Sequence, residues 1–262
     1  MSTDLEGYVA LITGGSSGLG YEMAKQLLSE GAEVIIAARR RGRLAAARDR
    51  LEYAGYRAHV LEMDVTDEES VDEAWRWFGK QFDHLDMLVN NAGVGNNAPG
   101  MEGIPREHTF LDVPVKAVRA AAETNMVGSF LAAKRFVPFM LKQGRGSLVY
   151  VSTSAGTMTR PGQIPYGPSK AGGEAMAWIM AQELQDTGIA VNIICPGGFT
   201  DTAMAGEGDK EFFLKRGLEI LPPSILNRVI SFLASPASEG ISGEKIIGKE
   251  FNAWLAERGI IF

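Results

Sequence analysis

Short runs in which nearly every residue is apolar, many of them β-branched, recur along the chain. They lie at Val9–Thr13, Glu33–Ala37, Ala58–Glu62, Met87–Asn90, Ser147–Ser152 and Ala190–Ile194, with a weaker one at Glu244–Gly248. A strand with one face on a core alternates apolar and polar residues. A strand covered on both faces has no polar side to show. Unbroken apolar runs of this length therefore predict inner strands of a parallel sheet.

Longer amphipathic stretches separate these runs. Leu19–Ser29 spaces Met23, Leu27 and Leu28 as a helix does and stops before Gly31. Thr66 and Glu69 stand three apart as a capping box, with Thr66 as N-cap of a helix through Val71, Trp75 and Phe78. Strand and helix alternate without a linker or repeat. The expected fold is α/β, a doubly wound parallel sheet (Rossmann fold), as one domain over residues 1–262. Such sheets bind ligands outside the carboxyl ends of their strands.

Composition narrows the function classes. The chain has 262 residues, 45% of them hydrophobic and 22% charged, which is enough for a core without metal or disulfide staples. The single cysteine, Cys195, lies in an apolar run and is expected as a small buried residue. A net charge of −6 argues against nucleic-acid and anionic-membrane partners. The first residues lack a basic segment followed by a long apolar one, and no run approaches the roughly 20 apolar residues of a membrane span. A cytoplasmic protein is expected. The three histidines, His59, His84 and His108, are not at ligand spacing, so no metal site is expected.

The first strand runs into Gly14-Gly15-Ser16-Ser17-Gly18-Leu19-Gly20, and a helix follows. Glycines there allow a tight turn and close backbone approach, and the helix N-terminus offers free N–H groups to a pyrophosphate. The spacing is Gly-x-x-x-Gly-x-Gly, preceded by Thr13. With Asn90-Asn91-Ala92-Gly93, Asn125, Tyr166-x-x-x-Lys170 and Pro196-Gly197 in that order, the chain resembles the short-chain dehydrogenase/reductase family over about residues 7 to 200. The usual Asp-Gly-Gly near the last strand is absent.

The resemblance implies a nicotinamide cofactor held by Gly14, Ser16, Ser17, Gly18, Leu19, Asn91, Ala92, Gly93, Tyr166, Lys170, Pro196, Gly197 and Thr202. It implies catalysis by Asn125, Thr153, Tyr166 and Lys170, hydride transfer between the nicotinamide and a ketone or secondary alcohol, and a homotetramer or homodimer. Asp64 and Val65 resemble the family's adenine-contacting pair, although Asp64 also suits a turn. At the end of the second strand, Ala38 replaces the acidic residue that would bind a ribose 2′-OH. Arg39 beside it suits a 2′-phosphate, with Arg40 and Arg43 adding charge. NADP(H) is expected, with NAD(H) as the alternative.

Tyr166 and Lys170 stand four apart, on one helical face. An ammonium beside the phenol would lower its pKa from near 10. The family's serine is replaced by Thr153, with Ser154 as the alternative holder of that role. Two segments suit substrate selection, about residues 94–120 and 202–221. The second reads equally as a lid or as a core-facing helix. His108 and Arg160 face either a small-molecule substrate or solvent. The terminal Ile260-Ile261-Phe262 packs on a partner subunit or on its own chain. A cofactor-binding sensor that has lost catalysis is the alternative function.

Overall fold

The computed structural model describes residues 4–105, 107–202, 204 and 207–262. Seven parallel strands run in the order β3-β2-β1-β4-β5-β6-β7. They are β1 (Val9–Thr13), β2 (Glu33–Ala38), β3 (His59–Glu62), β4 (Met87–Asn90), β5 (Gly146–Val151), β6 (Ile189–Cys195) and β7 (Lys245–Ile247). Helices α1 (Gly18–Ser29), α2 (Arg41–Tyr53), α3 (Glu68–Gln81), α4 (Val115–Ala122), α5 (Gly128–Gln143), α6 (Ala155–Thr159), α7 (Tyr166–Glu183), α8 (Glu207–Lys215), α9 (Asn227–Ala234) and α10 (Phe251–Glu257) complete the chain. The fold is the doubly wound sheet that the apolar runs predict.

Strand alternation explains the two-sided core. Ala10 and Ile12 of β1 point to one face, where Met23, Leu27, Val229, Phe232 and Trp254 pack. Val9 and Leu11 point to the other, with Val71, Phe78, Phe136 and Met140. Both neighbours of the sheet are apolar, so its inner strands carry almost no polar residue. At the amino ends of the strands Asp86 is buried. It accepts the Val9 N–H at 2.9 Å and pairs with Arg145 at 3.3 Å, which ties β1, β4 and β5 at the edge remote from the site.

Several local expectations are corrected. The α3 N-cap is Asp67, whose carboxylate accepts from Glu69 and Ser70 N–H. Thr66 is not available for that role, because its hydroxyl donates to Asp64 Oδ1 at 2.7 Å. The last strand is only three residues long. The C-terminal tail folds back on its own chain: Phe262 meets Phe232 edge-on at 5.3 Å, and Arg228 donates to the terminal carbonyl. Ile261 alone of the last three stays fully out, 92% exposed.

Candidate active site

Strand order reverses its sense between β1 and β4, and the site lies at the carboxyl ends there. The β1–α1 turn is a cradle whose walls are backbone. Ser17, the residue before α1, makes no side-chain cap, and the first turn of α1 carries no acidic residue. Its N–H groups and positive end are left for an anion. Asn91 holds the cradle from below, with Nδ2 donating to Thr13 O at 2.9 Å and Gly14 O at 3.2 Å. Gly20 must lack a side chain for this, since a Cβ would lie 2.4 Å from that nitrogen. The Thr13 hydroxyl accepts Asn91 N–H at 3.0 Å and Ala92 N–H at 2.9 Å. Thr202 closes the other side, 3.2 Å from where Gly18 would carry a Cβ. Pro196 O accepts Lys249 N–H at 3.0 Å, which fixes the Pro196-Gly197 turn against the end of β7. A glycine cradle with an uncapped helix end fits a dinucleotide pyrophosphate.

Arg50, which the sequence reading missed, braces the cradle from α2. It donates to Ser16 O at 3.1 Å and lies 4.3 Å above the Tyr21 ring. Beyond β2 the basic cluster is exposed. Arg41 is committed to Glu62, but among the described residues Arg39, Arg40 and Arg43 have no acidic partner. Arg40 is held below the usual arginine value by what burial it has and by the like charges of Arg43 and Arg39. A surface cluster of guanidiniums without an acidic partner among the described residues fits a 2′-phosphate. Asp64 serves the turn after β3, accepting Thr66 N–H at 3.0 Å, and Val65 is buried against Gly128.

Asn125 is fully buried within a π-helical turn, Glu123–Val127, between α4 and α5. Its Oδ1 accepts Val94 N–H at 2.8 Å, and its amide donates to Val94 O at 2.9 Å and Ser169 Oγ at 2.8 Å. Both amide N–H groups are used, so the side chain offers a relay water no donor. What it does hold is the chain leaving β4 against α7. Gly93 lies at that junction, where a Cβ would sit 2.9 Å from Asn125 Oδ1 and 3.3 Å from Lys170 Nζ.

The structure brings Thr153, Tyr166, Lys170, Asn125 and Gly93 together. The Thr153 hydroxyl stands beside the Tyr166 phenol. Ser154 is engaged elsewhere as the N-cap of α6, 2.9 Å from the Thr157 hydroxyl. Lys170 is buried and donates to Val151 O at 2.8 Å. The acidity of Tyr166 departs from expectation. Burial pushes the phenol up to about 12, while the neighbouring Thr153 hydroxyl pulls it down. Burial lowers the Lys170 ammonium to about 8, which leaves it largely charged at neutral pH, and its Nζ donates to the Val151 carbonyl. A phenol of this kind is an acid at neutral pH.

The two selection segments meet over this floor. Met204 comes 3.2 Å from where Gly95 would carry a Cβ. Ala98 and Met101 are buried against Ala117 and Ala121 of α4, so the first segment is anchored instead of being wholly loop. In the second, Phe213 of α8 stacks on Phe199 at 4.0 Å. Residues 106, 203, 205 and 206 of these segments lie outside the described residues. His108 is buried between Pro105 O at 2.8 Å and Ile164 O at 3.1 Å, whereas Arg160 is exposed. Sequence reasoning also missed Glu174, which is buried one turn beyond Lys170 and ion-paired with Lys245 of β7. Its spacing of four from Lys170 was the available signal.

Known proteins with this arrangement are numerous. The chain is 31% identical to the 3-oxoacyl-(acyl-carrier-protein) reductase FabG of Aquifex aeolicus, over 94% of this chain and 97% of that one. It is 32% identical to the FabG of Thermotoga maritima, over 92% and 96% of the two chains. The crystal structure of a short-chain type dehydrogenase/reductase from Mycobacterium marinum superposes with a TM-score of 0.82 at 27% identity, covering 95% of this chain and 96% of that one. The family model for short chain dehydrogenases matches residues 8–211. With its glycine cradle, Asn125 and the Tyr166–Lys170 pair in one site, the chain belongs to the short-chain dehydrogenase/reductase family, oxidoreductases that interconvert a CH–OH group and a ketone.

Proposed function

We propose that this chain is an NADP(H)-dependent reductase of a ketone, or dehydrogenase of the matching secondary alcohol, with Tyr166 as the acid/base. The observation that carries this reading is the Tyr166 phenol and the Thr153 hydroxyl set side by side, with the buried Lys170 one helical turn along α7. Gly14, Ser16, Ser17, Gly18, Leu19, Asn91, Ala92, Gly93, Pro196, Gly197 and Thr202 would hold the dinucleotide, and Arg39 its 2′-phosphate. When bound, the nicotinamide supplies or accepts the hydride at the carbonyl carbon. The chain's own residues handle the oxygen. Thr153 donates a hydrogen bond to it, and Tyr166 gives it a proton as negative charge develops. The Lys170 ammonium stabilises the phenolate left behind. In the alcohol-to-ketone direction that phenolate takes the proton back.

Asn125 acts as a positioning residue, through Val94 and Ser169. A homo-oligomer is supported by exposed apolar side chains on neighbouring elements: Phe110 and Val115 at α4, Phe130 on α5, Trp178 and Ile179 on α7. Among the described residues no helix is long and apolar enough to cross a membrane, and we place the protein in the cytoplasm.

The test is a panel of ketones and secondary alcohols followed by NADPH and NADH absorbance. The reductases it resembles by sequence are named for 3-oxoacyl carrier-protein substrates, so an acyl thioester of that class belongs in the panel. Turnover with preference for NADPH is expected. Tight NADPH binding without turnover of any member would favour a cofactor-binding sensor instead.

A further inference from the structure

Glu174 and Lys245 take no part in the chemistry above, yet they are set directly behind it. Glu174 is only 3% exposed and stands one helical turn from Lys170, on the same face of α7. Lys245 Nζ approaches its Oε1 at 2.6 Å, an ion pair without the alignment of a hydrogen bond. Lys245 enters from β7 and its side chain remains 20% exposed, so the pair links the buried site to the surface. The helix is thinned at this point. A Cβ on Gly173 would fall 2.0 Å from the Tyr150 hydroxyl, and that hydroxyl reaches past it to donate to Asn125 O at 2.9 Å. Lys170 Nζ lies 5.1 Å from the same ring.

We infer that the buried Glu174–Lys245 pair sets the charge environment of Lys170, and through Lys170 that of Tyr166, which makes Glu174 a positioning residue for their proton transfer. The inference rests on the proposed roles of Tyr166 and Lys170. A buried carboxylate that is not neutralised near Lys170 favours its ammonium; a partner cation offsets that effect. The groups facing Lys170 and Tyr166 bear this out. Glu174 is the charged side chain that raises Lys170 against the loss caused by burial. Tyr150 of β5, itself pushed up by burial, is raised further by Tyr166 and Glu174. Cys195 of β6 is pushed up to about 11 by burial, with Lys245 lowering it and Glu174 and Glu250 raising it. Glu174 is thus felt at Tyr150 of β5 and at Cys195 of β6, and Lys245 at Cys195.

Two single substitutions separate an electrostatic role from mere packing, because they move charge in opposite directions. Glu174→Gln leaves Lys245 as an unbalanced cation and moves nearby titrations to lower pH. Lys245→Met leaves Glu174 as an unbalanced anion and moves them to higher pH. The double variant returns the local charge to zero and stays close to wild type. A displacement of about 1 pH unit each way is expected for charges one helical turn away in a half-screened interior.

The experiment uses the full chain without cofactor first. Melting temperature is followed between about pH 6 and 10 for the wild type, both single variants and the double. Each is compared with its counterpart carrying Lys170→Met. Stability should begin its rise with pH earlier in Glu174→Gln and later in Lys245→Met, and these differences should vanish in the Lys170→Met background. The pH profile of kcat on a ketone that turns over should shift in the same two directions. Shifts of the same sign in both variants, or superimposed profiles, would overturn the inference. If one single variant fails to fold, the other and the double still decide it. Retained turnover in Tyr166→Phe would defeat the catalytic reading instead, and the cofactor-free melts would still report on Glu174.

Discussion

Gly20→Ala is the substitution whose effect follows most directly from the geometry. The new methyl would lie 2.4 Å from Asn91 Nδ2 and 2.8 Å from Gly14 O, against an ordinary contact of 3.4 Å or more. The Asn91 amide must retreat by about 1 Å, the difference between those distances. Its bonds to Thr13 O and Gly14 O, now 2.9 and 3.2 Å, are then too long to count. Two such bonds contribute about 2 kcal/mol together. Because they hold the cradle that the pyrophosphate needs, the loss falls on cofactor binding. About 2 kcal/mol corresponds to roughly 30-fold weaker NADPH binding. NADPH fluorescence titration measures it, with Gly42→Ala as the control, since a Cβ there meets nothing within 4 Å. Gly20→Ala binding NADPH within threefold of wild type, or Gly42→Ala losing as much, would refute this account of the cradle.

Further outcomes are expected. Arg39→Ala weakens NADPH binding roughly 10- to 100-fold, the value of one or two charge-assisted hydrogen bonds, and barely alters NADH binding in the same titration. Thr153→Ala lowers kcat on a ketone at least tenfold in steady-state assays, while Ser154→Ala, which only loses a cap on a five-residue helix, keeps near-normal turnover. Burial holds Lys170 at about 8 against its ordinary 10.5, so between those values the unfolded chain binds more protons than the folded one. Stability from this group therefore rises with pH across that window, and thermal melts of Lys170→Met should lose that slope.

Much of the fold was legible because the sheet is covered on both faces. Val9–Thr13 and Met87–Asn90 are buried throughout and apolar up to their last residue for that reason, and the strand limits follow. The edge strand β7 was the least legible. Of the expected Glu244–Gly248 only Lys245–Ile247 pairs, against β6. The α3 cap was misplaced by one residue because Asp64, which does not belong to the helix, takes the Thr66 hydroxyl. Glycine cradle, Asn125 and the Tyr166–Lys170 spacing could be read locally. Contacts distant in sequence could not. Glu174 meets Lys245, Arg50 reaches Ser16, and Arg228 holds the C-terminus, and no local pattern encodes these pairings. The raised pKa of Tyr166 was also hidden, since it comes from burial in the folded chain.

The central claim is that Tyr166 gives and takes the proton at the substrate oxygen. Its most direct test is Tyr166→Phe, with turnover of a reactive ketone followed by NADPH absorbance and NADPH affinity measured alongside. General acid–base help is worth roughly 10²–10⁴-fold, so kcat should fall by that factor. NADPH affinity should hold within threefold, because the cradle that Asn91 and Arg50 brace is untouched. Turnover near the wild-type rate in Tyr166→Phe would contradict the mechanism.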